Sequence, residues 1–298
     1  MPRVYYKRVL PICAPEENAT KITFFGTTTL LFDDGRDQVL FDAHMTRPSL
    51  FRYILGSGAT DTRLVEEMLT QHGMNRLRGI FISHTHHDHV MDAPFIANKT
   101  GAVIYGSASA MNVARGGDVP EGQMIQFEPN QTYRLGGYSV RVIPSIHSKP
   151  NLLNNDLGQM IDAPLRQPAR LRSYKEGGSY DFYVESQGKR FMIRPSFNYI
   201  EGQMDGYRAD VLFLGVAGLQ KADAATEAAF FRETIDRLDP ALVIPIHWDN
   251  FFSPLTRPAT GMPRLIEKTE VVFFKLARYC AAGRRNCLVQ IPGTSVEV

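Results

Sequence analysis

The sequence is poor in features that would place it in several large protein classes. Three cysteines, Cys13, Cys280 and Cys287, are too few and too scattered for a disulfide framework, so free core thiols are expected. No apolar run approaches the length of a membrane span, and residues 1–8 lack the apolar stretch of a secretory signal. The formal net charge is only +2, which gives no electrostatic support for nucleic-acid binding. We therefore expect a cytoplasmic protein without a membrane span or a nucleic-acid partner.

The overall composition is that of an ordinary globular protein, with 44% apolar and 21% charged residues. Neither repeats nor a low-complexity linker divide the chain, so we expect residues 1–298 to form a single domain. Apolar and β-branched runs predict strands in residues 21–42, 79–83, 102–105, 123–143, 180–194, 211–214 and 241–246. Helical patterns lie between them in residues 61–72, 222–238 and 263–279. This order predicts two sheets enclosed by helices.

Histidine is concentrated at one place in the chain. Four of the eight histidines lie in residues 84–89, with the sequence His-Thr-His-His-Asp-His, directly after the apolar run at residues 79–83. A buried core rarely takes unpaired imidazoles, whereas imidazole and carboxylate together suit zinc, manganese or iron. A turn after the strand would direct His84 and His86 to one metal, and Asp88 and His89 to a second metal nearby. The alternative, a solvated histidine-rich loop, predicts no partner ligands elsewhere.

Partner histidines are present at the ends of two other predicted strands. His147 follows the run at residues 138–146, and His247 follows the run at residues 241–246. The carboxyl ends of strands are where α/β sheets place their sites. Either residue alone could be a structural histidine, but together with residues 84–89 they indicate metal ligation.

The pattern His-x-His-x-Asp-His after a strand, followed by isolated histidines at strand ends, resembles the metallo-β-lactamase fold superfamily. Residues 21–42 resemble the opening strands of that family, and residues 244–248 its closing ligand motif. Within the superfamily the chain is most similar to the hydrolase group that includes the ascorbate-phosphate lactonases and the N-acyl-phosphatidylethanolamine phospholipase D. The resemblance implies an α/β fold, a four-layer αββα sandwich. It also implies two metals, the first held by His84, His86 and His147 and the second by Asp88, His89 and His247.

One position departs from the family pattern. The aspartate that often bridges both metals aligns with Ser196, after the predicted strand that ends near residue 194. A serine there would remove an anionic ligand and leave more positive charge on the metals. Asp205 and Asp210 are the alternatives if the alignment is shifted, although Asp210 more naturally opens the next strand.

The least regular part of the chain is residues 148–178, which begin directly after His147. An irregular stretch of this length favours a lid or a substrate-shaping wall, and a solvated surface excursion is the alternative. Its basic residues would suit an anionic group, and Lys149 is the best placed. Three further residues are candidates for the surroundings of the metals or the substrate. These are Asp42, which could bond a metal-bound histidine or cap a turn, His44, and Trp248, which could form a substrate wall or pack in the core.

These residues predict a metal-dependent hydrolase that uses a metal-bound hydroxide, with Asp88 holding that nucleophile, to cleave an ester, lactone or phosphodiester bond. Zinc is the favoured metal, with manganese and iron as alternatives, and the expected substrate is a small or lipid-like molecule. Hydrolysis of β-lactams on the same six ligands is an alternative. A metal-binding or sensory protein on a decayed hydrolase fold is another. The oligomeric state is left open.

Overall fold

The protein is described here from a computed structural model covering residues 19–150 and 155–298. The expectations about residues 1–8 and Cys13 lie outside this range. The strands are β1 Lys21–Gly26, β2 Thr29–Asp33, β3 Gln38–Phe41, β4 Ser57–Gly58, β5 Leu77–Phe81, β6 Val103–Gly106, β7 Met124–Gln126, β8 Thr132–Leu135, β9 Tyr138–Ser145, β10 Ala169–Arg170, β11 Ser179–Ser186, β12 Lys189–Arg194, β13 Val211–Gly215, β14 Leu242–Ile246, β15 Asn286–Cys287 and β16 Thr294–Glu297. The helices are α1 Leu50–Leu55, α2 Thr62–Gln71, α3 His87–Val90, α4 Ala93–Thr100, α5 Ala108–Gly116, α6 Ala224–Phe231 and α7 Thr269–Ala282. Among these residues, no helix combines the length and apolar character needed to cross a membrane.

Two seven-stranded sheets form the centre of the fold. The first has the order β16-β1-β2-β3-β5-β6-β7, and the second has the order β15-β14-β13-β12-β11-β9-β8. The expected α/β sandwich is confirmed, and the sequence pattern did not predict that β15 and β16 would extend the two sheets. β16 returns from the end of the chain to pair antiparallel with β1.

Side chains on the first strands alternate between the two faces of the first sheet, which explains why the apolar core has two layers. The side chains between the two sheets include Ile22, Phe24, Leu30, Phe32, Val39 and Phe41. The intervening side chains Phe25, Leu31 and Leu40 belong to a second cluster, together with residues of α4 and α5. Because successive side chains on a strand point to opposite faces, one stretch of sequence supplies both apolar layers. Phe32 packs edge-on against Phe191 of the second sheet, with ring centroids 5.2 Å apart.

Two of the three predicted helices have the expected positions, and the third begins later than predicted. Asp61 caps α2 by accepting from the backbone N–H of Leu64 at 3.1 Å. The second helix is α6, which a π-helical stretch, Arg232–Asp236, continues. The prediction that a helix starts at Pro263 is wrong: residues 264–266 form a turn, and the Glu267 side chain accepts from Gly218 N at 2.7 Å. α7 therefore begins at Thr269.

The irregular segment after His147 is packed onto the domain in its second half. β10 pairs antiparallel with β4, and a 3-10 turn, Leu171–Ser173, follows it. Ile161, Leu171 and Tyr174 are buried in the cluster beneath the first sheet. These residues pack on the fold, and the role of residues 148–178 as a lid or substrate-shaping wall stays a prediction.

Candidate metal centre

The predicted ligands lie together because the strands that precede them end at one edge of the sandwich. β3 and β5 run parallel in the first sheet, and β12, β13 and β14 run parallel in the second. β9 has the same direction as β12, since both are antiparallel to β11. His84 comes shortly after β5, His147 shortly after β9, and His247 directly after β14. The carboxyl ends of these strands thus deliver side chains to a single place.

The first set of predicted ligands forms a compact triangle. One candidate ligand atom from each of His84, His86 and His147 lies within 4.8 Å of the others. The ring centroid of His147 is 4.7 Å from that of His84 and 4.8 Å from that of His86. Imidazole rings this close together can act as ligands of one shared metal ion.

The second set adjoins the first and contains a carboxylate. Candidate ligand atoms of Asp88, His89 and His247 also lie within 4.8 Å of one another. Asp88 Oδ2 is 3.6 Å from His89 Nε2 and 3.4 Å from His247 Nε2. The rings of His84 and His89 are only 3.7 Å apart, so the two sets share a boundary. This arrangement can hold two neighbouring cations.

In His84 and His89, one ring nitrogen has a hydrogen-bond partner and the other has none among the described residues. Nδ1 of His84 lies 3.1 Å from the Ser83 hydroxyl, and Nδ1 of His89 lies 2.8 Å from Asp42 Oδ2. The Nε2 atoms of His84 and His89 are buried with no hydrogen-bond partner among the described residues. A buried imidazole nitrogen without a partner is costly unless it ligates a metal. The residues present therefore fit a pair of transition-metal ions.

Burial and neighbouring charge favour the ligating forms of His84, His147 and Asp88. Burial and the neighbouring histidines hold the pKa of His84 well below its ordinary value, and burial lowers the pKa of His147 to about 3. Both rings are therefore neutral at physiological pH, with a lone pair available. Burial acts to raise the pKa of Asp88, but His89 and its neighbours outweigh this and hold that pKa well below its usual range. Asp88 is consequently ionised.

Asp42 connects the second ligand set to the first sheet through hydrogen bonds. Its carboxylate contacts His89 Nδ1, accepts from Ser83 N and Ser83 Oγ at 2.8 Å, and accepts from the Thr28 hydroxyl. It follows β3 with a positive φ of 52°, a conformation that aspartate tolerates better than most residues. The structure thus places Asp42 behind a predicted ligand, which is the first of the two sequence interpretations.

His247 is held in an unusual backbone conformation by the turn between β1 and β2. Its φ is +60°, and its backbone N–H donates to the Thr27 carbonyl. Asp249 accepts from Thr27 N at 2.7 Å and forms a buried ion pair with Arg47 at 2.8 Å. Burial acts to lower the pKa of His247, but Asp88 and Asp249 raise it overall. The loop after β14 is therefore held in place by contacts with protein groups alone.

Ser196 and its two alternatives lie in very different places. Ser196 follows β12, is largely buried and lines the cavity in front of the histidines. Asp210 pairs with Arg190 at 2.8 Å just before β13, at the opposite end of the sheet, and Asp205 pairs with Arg237. Neither aspartate lines the cavity, so both are excluded as bridging groups. Ser196 stays the predicted bridging position.

The remaining sequence candidates fall into different environments. His44 is fully buried, with its ring centroid 5.8 Å from that of His87. Trp248 packs in the core against Phe273, with ring centroids 5.3 Å apart, so the interpretation as a substrate wall is corrected. Lys149 is exposed and does not line the cavity.

The cavity over the two ligand sets has a volume of about 390 Å³. The sequence pattern did not single out Tyr53, Asp156, Lys221 and Met262, which line the cavity. Arg172 and Lys175 belong to the basic residues that were expected to suit an anionic group, and they line it as well, as do Phe251 and Phe252 after His247. Asp156 is the most informative, because its Oδ1 lies 3.0 Å from His86 Nε2. No local pattern around Asp156 signals this contact, which spans 70 residues of sequence.

Comparison with known families agrees with this geometry. Residues 37–248 match the beta-lactamase superfamily domain. The chain belongs to the beta-lactamase superfamily. The matched span contains every residue of both ligand sets.

Two curated relatives are named UPF0173 metal-dependent hydrolases. The one from Myxococcus xanthus is 32% identical over 72 residues, which are 24% of this chain and 25% of the relative. The one from Pyrobaculum arsenaticum is 27% identical over 129 residues, which are 43% of this chain and 51% of the relative. The matches therefore span between a quarter and a half of these relatives.

Solved structures of the same fold cover nearly the whole chain. Igni18, a metallo hydrolase from Ignicoccus hospitalis, has a TM-score of 0.58 and 19% identity, over 94% of this chain and 98% of its own. YhfI of Bacillus subtilis, a metallo-beta-lactamase fold protein, has a TM-score of 0.60 and 13% identity, over 95% and 100%. CmlA, a diiron beta-hydroxylase from Streptomyces venezuelae, has a TM-score of 0.59 and 12% identity, over 96% and 54%. At these identities the likeness concerns the fold, which carries more than one chemistry.

Proposed function

We propose that this protein is a metal-dependent hydrolase with two metal ions, zinc being favoured, that cleaves an ester, lactone or phosphodiester bond. The observation that carries the proposal is the pair of adjoining ligand sets, each with candidate ligand atoms within 4.8 Å of one another. His84, His86 and His147 would hold the first metal, and Asp88, His89 and His247 the second. A mixed set of imidazoles and one carboxylate suits zinc, and also manganese or iron.

The residues around the site would have different roles in hydrolysis. Two bound metals would lower the pKa of a water molecule and polarise the substrate oxygen. Asp88 is an ionised, acceptor-only carboxylate in the second set, so it is placed to orient an attacking water by accepting a hydrogen bond from it. Asp42 holds His89 in a fixed orientation through the 2.8 Å contact with Nδ1. No serine or cysteine nucleophile is needed.

The cavity wall favours a substrate with an anionic group and an apolar portion. Arg172, Lys175 and Lys221 line the wall, and their charge adds to that of the metals. Tyr53 and the adjacent pair at residues 251–252 provide aromatic surface on the same cavity. We propose a small or lipid-like anionic ester, bound with its charged group against these basic residues. In this view residues 148–178 form one wall of a single catalytic domain, acting in the cytoplasm.

Turnover by metal-reconstituted protein tests the proposal directly. An aryl ester, a γ-lactone, bis-p-nitrophenyl phosphate and a chromogenic β-lactam would each be assayed before and after chelation. We expect turnover of at least one ester, lactone or phosphodiester that disappears with the chelator. The substitution Lys221→Ala should raise KM for an anionic substrate and leave KM for a neutral ester unchanged. Metal-loaded protein without activity on any of these bonds would favour the decayed, metal-binding alternative.

The β-lactam in the panel and the identity of the bound metal separate the other candidates. Preferential cleavage of the β-lactam would favour that alternative on the same six ligands. Iron in the purified protein, with oxygen consumption in the presence of a reductant, would instead favour redox chemistry of the kind that CmlA's name describes. Zinc without oxygen consumption supports the hydrolase.

A further inference from the structure

The contact between Asp156 and His86 joins the first ligand set to residues 148–178. Asp156 Oδ1 lies 3.0 Å from His86 Nε2, and both side chains are mostly buried, with exposed fractions of 15% and 13%. The other two histidines of this set turn their outward nitrogens to weaker partners. His84 faces the Ser83 hydroxyl and His147 faces the Ser148 carbonyl, each at 3.1 Å. Within the first set, His86 thus has a carboxylate behind it.

This contact determines which nitrogen of His86 is available to a metal. A carboxylate accepts, so Nε2 must carry the proton and Nδ1 must carry the lone pair. A carboxylate behind a ligating histidine fixes its tautomer and orientation and increases its basicity as a ligand.

The segment that carries Asp156 is bonded to the ligand peptide itself. Thr85, between His84 and His86, donates from its backbone N–H to Glu176 O at 2.8 Å and from its hydroxyl to Lys175 O at 2.6 Å. These bonds hold the end of the segment directly against residues 84–89.

The two ends of the segment are also bonded to each other. Glu176 accepts from Gly158 N at 2.7 Å, and Gly177 N donates to Gln159 O at 3.0 Å. Gly177 has a φ of +68°, and a Cβ there would lie 2.3 Å from Thr85 Oγ1, so this close approach requires glycine. Asp156 is consequently held in place by both the segment and the ligand peptide.

We propose that Asp156 is a positioning residue that orients His86 for the first metal, and that it couples occupancy of that metal to the order of residues 155–178. The inference rests on the proposed metal centre. Binding of the first metal fixes the His86 ring, which in turn favours the conformation of the segment that reaches it. Since the same segment supplies Lys175 and Arg172 to the cavity wall, loading the first metal would also complete the substrate-binding surface.

Metal affinity of the full-length protein tests the first part. Zinc would be titrated against a chromophoric chelator for the wild type, Asp156→Asn, Asp156→Ala and the control Asp162→Asn, whose side chain is exposed in the same segment. We expect the Kd of one zinc to rise by about 10–100-fold in Asp156→Asn and at least as much in Asp156→Ala. The second zinc and the control should be unaffected. Because asparagine has the shape of aspartate, Asp156→Asn separates loss of charge from loss of fold.

Hydrogen exchange tests the second part without depending on activity. In the wild type, chelation of the metals should speed exchange of the amides of Gly158 and Gly177, and added zinc should restore protection. In Asp156→Ala, zinc should restore much less. Wild-type zinc affinity in both Asp156 variants, or exchange that does not respond to zinc, would overturn the inference while leaving the metal centre standing. Failure of the wild type to bind zinc would overturn the metal centre, and with it the role of Asp156.

Discussion

The two ligand sets adjoin each other but are supported by different parts of the molecule. The second set is backed by the first sheet, because Asp42 at the end of β3 contacts His89 and the turn between β1 and β2 holds the loop of His247. The first set also depends on the less regular residues 148–178, because His147 directly precedes them and Asp156 lies within them. The second set is therefore supported mainly by the core, whereas the first set also relies on this segment.

This difference indicates where each site would be sensitive. Changes behind the second set leave buried groups of the core without partners, so they should affect folding and metal affinity together. Changes behind the first set should affect metal affinity and residues 148–178 with little effect on the core. The following predictions test this division, beginning with the largest effect.

Removing one ligand from each set should abolish hydrolysis and separate the two sites. His86→Ala should lose the first metal and keep the second, and His247→Ala should do the reverse. Activity should fall by more than about 100-fold in both, since a ligand contributes more than the outer partners do. Metal content by mass spectrometry, alongside circular dichroism, measures this. Wild-type turnover in His86→Ala would rule out the assigned site.

Asp42→Asn should weaken the second site and the fold together. Asp42 accepts from Ser83 N and Ser83 Oγ at 2.8 Å and contacts His89, and an amide cannot accept all of these bonds. We expect the free energy of unfolding of metal-free protein to fall by about 1–3 kcal/mol. Affinity for one metal should fall by about 10–100-fold. Asparagine tolerates the positive φ at this position, so backbone strain is not the cause.

A partly exposed ion pair between an aspartate and an arginine provides the control for Asp42. Asp37 pairs with Arg78 at 2.6 Å, and the arginine side chain is 63% exposed. Asp37→Asn should reduce the unfolding free energy by no more than about 1 kcal/mol and leave metal affinity unchanged. Equal losses in the two variants, measured by denaturant unfolding, would mean that Asp42 has no special role behind the site.

The sequence was most informative where function depends on strand ends. Residues 84–89, His147 and His247 each follow an apolar run, so their convergence could be predicted from strand direction without coordinates. Asp42 could be proposed for the same reason. The layered fold followed from alternation and from the family resemblance.

What the sequence did not reveal depends on long-range contacts of irregular segments. Asp156 reaches His86 through a segment without periodicity, and Lys175 and Lys221 line the cavity where Lys149 had been favoured for its nearness in sequence to His147. The start of α7 was misplaced, and the long-range bond from Gly218 N to the Glu267 side chain just before this helix is invisible in a local pattern. Nearness along the chain is a poor guide to nearness in space once a segment has no regular period.

His87 is the histidine of residues 84–89 that belongs to neither set. Replacing it therefore tests one contribution to the pH dependence of the unfolding free energy. Its ring lies 5.2 Å from that of Tyr53, and burial lowers its pKa to about 4, although Asp88 acts to raise it. The folded protein therefore keeps His87 neutral while the unfolded chain takes up a proton below about pH 6.5. Stability from this group is present above pH 6.5 and is lost as the pH falls toward 4.

Replacing His87 should consequently flatten the loss of stability in acid. Between pH 7 and pH 5, His87→Phe in chelated protein should reduce the loss of unfolding free energy by about 2 kcal/mol, which corresponds to roughly 1.5 pH units. His72→Phe is the matched control, because His72 is only partly buried and packs on Phe25 at 4.8 Å. Denaturant unfolding at the two pH values measures both. An identical acid loss in His87→Phe and wild type would assign the pH dependence to the other buried histidines.

Ser196→Asp should have the smallest effect of these substitutions. It would connect the two ligand sets through a shared carboxylate. Ser196 lines the cavity after β12, at the position that the family resemblance predicts for a bridging group. A neutral hydroxyl is a poor bridge, so an aspartate there should tighten metal binding by up to about tenfold, which is 1.4 kcal/mol or less. The added negative charge should also move the acidic limb of the pH–rate profile to higher pH, because it makes the metals weaker Lewis acids. Ser196→Asn, without the charge, is the control. If the aspartate changed neither metal affinity nor the pH profile, Ser196 would not face both sites. A side chain at this position after β12 could then not bridge the two ligand sets.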